Sequence, residues 1–427
     1  MTDRGAARPL SNPWVVLATL LTIYIFNFAD RYLITGLVGP IKAEFGVDDG
    51  FMGLMMGPAF VTFYVVAGVP IARMADRGSR VKIIAAGCVI WSACTIATGF
   101  ATGPLSLALA RVGVGVGEAA FVAPAYSLLA DYFRPEKRGL AFAILGLATY
   151  AGQIAGQAGG PAIAAAYSWH SAFFFMGAPG IALGLLALLL IREPPRRVEA
   201  DGTAAIQPPF LEMVRELARA PAYLLMMAAF ALAAVSGVAF GYWGPELFSR
   251  AYAIDPVAAK SAFAINFGLA GLGGMLAYGA LADRLSRRDK VWPVKLSAIA
   301  ILLATCAILS ATWTDDFATA KALAIPSGVL GGGWSVGFFT MLQLMLPDRY
   351  RAAATALFIM MTTLFGYFVA PWLVGAISEA LGNNVHSLRI GLSTVIPFGF
   401  AAALCAWLSA RHILRDAERL AHAQPKA

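Results

Sequence analysis

Hydrophobic positions in this chain gather into twelve long blocks, at 14–38, 51–74, 82–102, 105–130, 139–164, 171–191, 221–248, 259–281, 291–312, 320–346, 352–377 and 389–411. Each is about 20 residues or more, the length that carries an α-helix across a bilayer. Only helices with internally satisfied backbones fit such blocks, so the pattern predicts an all-α integral membrane protein. One interval is longer and more polar than the rest. It separates 1–191, with six blocks, from 221–427, with six more, and leaves 192–220 as a linker. The linker ends in PFLEMVRELARAP, where Phe210, Leu211, Val214 and Leu217 share a helical face. That spacing predicts a short amphipathic helix on the cytoplasmic surface.

Composition sharpens this picture: 59% of residues are hydrophobic and 13% charged, against about 25% charged in ordinary soluble domains. The net charge of +8 is not a nucleic-acid footprint, because Lys and Arg alternate between loops. With the N-terminus in the cytoplasm, 25 of the 32 fall on the cytoplasmic side. Lys42, Arg250, Lys260, Lys321 and Arg389 fall opposite, and Arg31 and Arg111 lie within the membrane. The positive-inside rule therefore places both termini in the cytoplasm of an inner or plasma membrane protein. The opening MTDRGAARPLSNPW does not read as a signal peptide. Cys88, Cys94, Cys306 and Cys405 fall inside blocks and read as small buried hydrophobes. No metal set or P-loop is present in the sequence, and the four histidines lack ligand spacing. These features argue against an ATP-driven pump and a metal-dependent intramembrane hydrolase; a lipid-modifying membrane enzyme stays as the reading from another class.

Four ionisable residues stand at membrane depth in the first half. Asn27, Asp30 and Arg31 share one side of the first helix, and Arg111 and Glu118 lie two turns apart in RVGVGVGEAAFVAPAYSLLADY. Such charges either lock helices together or face a water-filled pathway. By helix rise Asp30 lies ~12 Å, and Arg111 ~10 Å, from the outer ends of their helices, which predicts an Asp30–Arg111 pair at one depth. The four charges sum to zero, as a low-dielectric site requires. The second half carries only Glu246 near an outer end, with Tyr242, Asn266, Trp334, Phe338 and Tyr367 among its polar and aromatic residues.

The halves also echo each other. ARMADRGSRVK recurs as GALADRLSRR, with Asp76 and Asp283 separated by 207 residues, and PEKRG recurs as PDRYRA, with Arg138 and Arg351 separated by 213. Two features at nearly one period indicate duplicated halves. The paired ADRxxR segments resemble the major facilitator superfamily, with Ala72, Ser79 and Ser286 departing from its pattern. NFADRYLI and RVGVGVGEAAFVAPAYSLLADYF followed by RPEKRG are most similar to its Spinster family of lipid transporters. The glycine face of the fifth block resembles the superfamily's antiporter motif but carries Gln157 where proline is usual.

The resemblance implies two pseudo-symmetric six-helix bundles, the major facilitator fold, working as a monomer by alternating access around a central cavity. It implies a proton gradient as the drive, with no cofactor, and Asp30, Glu118 and Arg111 in charge coupling. Arg31, Arg111, Asn27 and Glu118 are the candidates for a substrate head group. Asp76, Arg77, Arg80, Asp283, Arg284, Arg287, Arg138 and Arg351 are expected at a cytoplasmic gate that stabilises the outward-facing state. Gln153, Gln157, Tyr242, Asn266, Trp334, Phe338 and Tyr367 are expected to line the cavity. A charged half facing an apolar one suits an amphiphile, such as a lysophospholipid or a phosphorylated sphingoid base. A small organic anion or drug-like molecule is the competing substrate.

Overall fold

The computed structural model describes residues 11–194 and 210–422. Twelve helices are long and apolar enough to cross a membrane: Pro13–Gly36, Asp49–Ala75, Arg80–Gly99, Pro104–Tyr132, Glu136–Ala166, Trp169–Leu190, Pro221–Ala251, Pro256–Ser286, Trp292–Trp313, Phe317–Met345, Ala354–Ala380 and Val385–Ser409. We number them spans 1 to 12. Their starts are marked by side chains that satisfy the free N–H groups of a first turn. Asn12 accepts from the Trp14 amide at 2.9 Å, Asp255 from Ala258 at 2.8 Å and Asp316 from Thr319 at 2.7 Å.

Several spans are interrupted, and the interruptions matter more than the lengths. Span 2 changes direction at Gly57–Pro58. Span 4 stops as a helix at Glu118 and resumes at Val122, because Pro124 has no amide to donate to Ala120 and its ring crowds that carbonyl. Spans 5 and 11, at equivalent places in the two halves, each contain a π-helical turn, Ala155–Gly159 and Leu364–Val369. Each turn packs on the first helix of its half: Gly156 lies against Ala29–Leu33 of span 1, and Gly366 against Ala234 of span 7. A Cβ at Gly156 would stand 2.5 Å from the Ala29 carbonyl oxygen, so only glycine permits this approach.

The two halves meet along two seams at the end remote from the chain termini. The outer halves of spans 2 and 11 pack closely, and a Cβ on Gly53 would come 2.5 Å from the Pro371 carbonyl. Span 5 packs on span 8, and the Tyr150 hydroxyl donates to the Gly332 carbonyl of span 10 at 3.0 Å. On the terminal side, helices Phe210–Ala218 and Ile413–His422 dock on the second half. Met213, Leu217, Ile413 and Leu420 enter its core, and Asp416 accepts from the Ala222 amide at 2.8 Å, capping span 7. The short helix expected at the end of the linker is present, and its Val214 and Leu217, with Met213, face the protein; the side chains of Phe210 and Leu211 lie outside the described residues.

Candidate functional site

Span 1 points adjacent side chains about 100° apart, so Asp30 and Arg31 reach different neighbours. Arg31 turns to span 4, where its Nη2 donates to Glu118 Oε2 at 2.5 Å and its Nε to the same oxygen at 3.2 Å. The pair is buried, with Glu118 wholly so. The break after Glu118 delivers the carboxylate to the point where span 1 passes. Arg31 is also wrapped in rings: its guanidinium carbon lies 4.8 Å from the centroid of Phe60, 5.1 Å from Phe28, 5.5 Å from Tyr64 and 5.9 Å from Tyr367. Aromatic faces stabilise a cation that has few other partners.

Asp30 turns instead to span 3 and accepts from Thr95 Oγ1 at 3.0 Å. The pairing of Asp30 with Arg111 expected from their depth is not formed. Equal depth sets height along the bilayer normal but not direction around each helix, and Glu118 takes its cation from Arg31. Arg111 is buried beside Phe60, 5.6 Å from its centroid, with Nε and Nη2 lacking hydrogen-bond partners. Asp30 Oδ1, Glu118 Oε1 and both amide atoms of Asn27 are likewise buried without partners. Polar atoms in that condition carry a free-energy cost unless water or a bound molecule meets them.

Between the halves lies a cavity of about 910 Å³. The first half contributes tyrosines to its wall (Tyr24, Tyr32, Tyr64, Tyr126) and Gln153, while the second contributes Phe230, Phe267, Trp334, Phe339, Met360 and Tyr367. Among the described residues no ionisable acid or base other than tyrosine lines it. Of the residues expected in the wall, Gln153, Trp334 and Tyr367 are there and Gln157, Tyr242, Asn266 and Phe338 are not. Tyr242 sits behind it, edge-on to Tyr32 at 5.3 Å and to Tyr367 at 5.9 Å. Phe338 is buried in the second half's core, and Asn266 donates to its own helix at the Ala262 carbonyl. Asn27, Asp30, Arg31, Arg111 and Glu118 also lie outside the wall. Tyr64 and Tyr367 belong both to the wall and to the rings around Arg31, so one aromatic layer separates cavity from ion pair.

The two ends of the molecule differ. At the outer end, Asp49 of the first half accepts from Lys42 at 2.5 Å and, across the interface, from Arg250 at 2.7 and 2.8 Å. Ser378 donates to the same carboxylate at 2.6 Å. Arg250 continues to Glu246 at 2.9 Å, Glu246 pairs with Lys260 at 3.1 Å, and Lys260 returns to the Gly36 carbonyl of span 1 at 3.0 Å. Beside this network Glu44 accepts from Trp169 Nε1 at 2.6 Å, which with His170 holds its carboxyl below the usual range. The partners across the two halves were not readable from spacing, because Asp49 and Arg250 lie 201 residues apart and Gly36 and Lys260 lie 224 apart; lone charges at outer helix ends were the only signal.

At the terminal end, Arg80 pairs with Asp131 at 2.5 Å and Glu193 at 2.7 Å, all within the first half. Arg138 and Arg351 occupy equivalent places, donating to the Phe133 and Leu346 carbonyls of their own halves. Arg77, Asp283, Arg284 and Arg287 are exposed, and the side chain of Asp76 lies outside the described residues. Among the described residues no ion pair joins the halves at this end. The cavity is covered at the end remote from the termini and reaches Ala72 and Thr355 near the terminal-side helix ends.

Two helix bundles around a cavity sealed at one end have the architecture of a membrane transporter rather than an enzyme. Residues 20–371 match the model of the Major Facilitator Superfamily, and the chain belongs to that family. Within it the chain is similar to proteins of the Spinster type. It is 28% identical to protein spinster homolog 1 of Homo sapiens, over 93% of this chain and 78% of that one. It is 27% identical to an MFS-type efflux pump of Mycolicibacterium smegmatis, over 97% and 96% of the two chains. The fold matches the crystal structure of a bacterial homolog of the human lysosomal transporter Spinster, inward-facing and unoccupied, with TM-score 0.84 and 25% identity over 96% of this chain and 99% of that one.

Proposed function

We propose that this transporter moves amphiphilic molecules, of the lysophospholipid or sphingoid-phosphate class, and couples their movement to protons at Glu118. The observation that carries the reading is the construction of the cavity: a wide aromatic and aliphatic wall from the second half, and a cation, Arg31, one ring-layer behind the tyrosines of the first. A buried guanidinium already committed to Glu118 is unavailable to an anionic head group. Protonation of Glu118 removes that partner and frees Arg31 to grip phosphate or carboxylate through Tyr64 and Tyr367, while the tail lies against Phe230, Trp334 and Phe339. Similarity to a sphingosine-1-phosphate transporter of Danio rerio, 26% identical over 93% of this chain and 82% of that one, supports the substrate class.

With the termini in the cytoplasm, the cavity faces inward, the Asp49–Arg250 network is the closed outer gate, and the ADR loops belong to a cytoplasmic gate that forms as the molecule turns outward. A lysophospholipid series with one head group and lengthening acyl chain tests the substrate class. Affinity of the monomeric ligand rises with each methylene, by up to ~0.8 kcal/mol if fully transferred from water. Affinity independent of chain length rejects it and favours a small anion or drug-like solute, the reading supported by the likeness to an efflux pump.

A further inference from the structure

Gln157 stands where the antiporter-like motif of span 5 departs from its usual proline, inside the π-helical turn Ala155–Gly159. Such turns recur at functional sites. Its carboxamide is wholly buried and crosses between the halves: Nε2 donates at 2.7 Å to the Gly241 carbonyl of span 7 and at 3.0 Å to Thr35 Oγ1 of span 1. A backbone carbonyl only accepts, so Gly241 fixes which end of the Gln157 amide is nitrogen. Gln157 Oε1 must then accept, and it does so from Gln153 Nε2 at 3.2 Å. Thr35 passes its own proton to the Tyr32 carbonyl at 2.7 Å. Donation thus runs in one direction, from the cavity wall at Gln153 through Gln157 to the second half at Gly241 and to the residue beside Arg31.

The same constraint orients Gln153. Its nitrogen is engaged with Gln157, and among the described residues no donor reaches its carbonyl oxygen, although the side chain lines the cavity. The geometry points to Gln153 Oε1 as a substrate subsite that takes a hydrogen-bond donor, a hydroxyl or ammonium group, and to Gln157 as the positioning residue that links this subsite to closure of the outer seam. The inference deepens the amphiphile reading and rests on it for the choice of probe. When the halves part on the outer side, the Gln157–Gly241 bond must break, so occupancy at Gln153 and seam closure share one chain of polarised amides.

The seam is read without any ligand. Nitroxide labels at Thr102→Cys and Leu381→Cys, both exposed at outer span ends of opposite halves, are placed in a chain whose Cys88, Cys94, Cys306 and Cys405 are replaced. The parent gives mainly short distances. Gln157→Met, similar in size but unable to donate, adds a longer population; Gln153→Leu adds less of it. Thr35→Val, which spares the link to Gly241, adds none. An unchanged distribution in Gln157→Met overturns the latch, as does an equal shift in Thr35→Val, which would mark packing damage alone.

The subsite is read with a lysophospholipid bearing a free glycerol hydroxyl and its O-methyl ether. The wild type binds the hydroxyl form more tightly, by several-fold up to about tenfold, the size of one hydrogen bond, and Gln153→Leu binds both alike. Equal binding of the two by the wild type overturns the subsite while leaving the amphiphile reading intact. Failure of both to bind overturns the amphiphile reading and the substrate half of the inference, with the distance measurement still deciding the latch.

Discussion

The two halves of this molecule share a fold, a π-helical turn at an equivalent place and an arginine folded onto its own half after spans 4 and 10. They do not share chemistry. The first half buries Asp30, Arg31, Arg111 and Glu118 around spans 1, 3 and 4. In the second half the buried charges near the seam are Glu246 and Lys260 at the outer end, and its cavity wall is aromatic and aliphatic. Duplication supplied two bundles able to rock about one site, and divergence assigned charge work to one and apolar contact to the other. A pair of halves equally charged would suit a polar solute held from both sides, since stranded polar groups are expensive.

The largest effect follows from breaking the charged half at its tightest bond. Arg31→Ala leaves Glu118 buried without its cation and costs about 3–5 kcal/mol, seen as a fall in Tm of the detergent-purified protein. The double variant Arg31→Ala/Glu118→Gln regains much of that loss, because it strands no charge. A double variant no better than the sum of the singles would show that the two side chains do not depend on each other.

The outer network is the next place to press. Asp49→Asn removes the anion between Lys42 and Arg250 and shifts molecules toward the outward-open state, raising thiol labelling of cysteines placed along the outer seam. Asp283→Ala acts at the other end and raises labelling of cavity positions from the terminal side. If neither substitution changes labelling, the charges at the two ends set topology rather than gating.

On the apolar side the effect is smaller and more selective. Phe339→Ala removes part of the second half's wall, so the gain in affinity per methylene of a lysophospholipid series flattens by a fraction of the ~0.8 kcal/mol available for full transfer from water. Binding of the shortest member stays nearly unchanged. A uniform loss across the series would place Phe339 at the head group instead.

Much of this architecture was legible in the sequence, and the exceptions have a common cause. Apolar blocks located all twelve helices to within a few residues, since a membrane helix needs a continuous run and little else. The duplication showed in paired ADR segments, and the burial of Asp30, Arg31, Arg111 and Glu118 followed from their depth. Partner choice did not follow, because depth says nothing of direction around a helix: Asp30 found Thr95, and Glu118 found Arg31. Gln157 and Tyr242, read as wall residues, lie behind it: Gln157 is in the π-turn facing the seam, and Tyr242 is covered by the edges of Tyr32 and Tyr367. The outer network was least legible, since Asp49 meets Arg250, and Lys260 meets the Gly36 carbonyl, only after both halves have folded.

The central claim is that the charged half couples transport to protons through Glu118, and pH-gradient-driven uptake into proteoliposomes addresses it most directly. Glu118→Gln keeps the size of the side chain and imitates its neutral, protonated form, with one acceptor oxygen and one donor group, but cannot exchange a proton. The account predicts that this variant folds, exchanges lysophospholipid downhill and fails to accumulate it when an inward-directed or outward-directed pH gradient is imposed, whereas the wild type accumulates it in one of the two directions. Gradient-driven accumulation by Glu118→Gln at the wild-type level would contradict the claim.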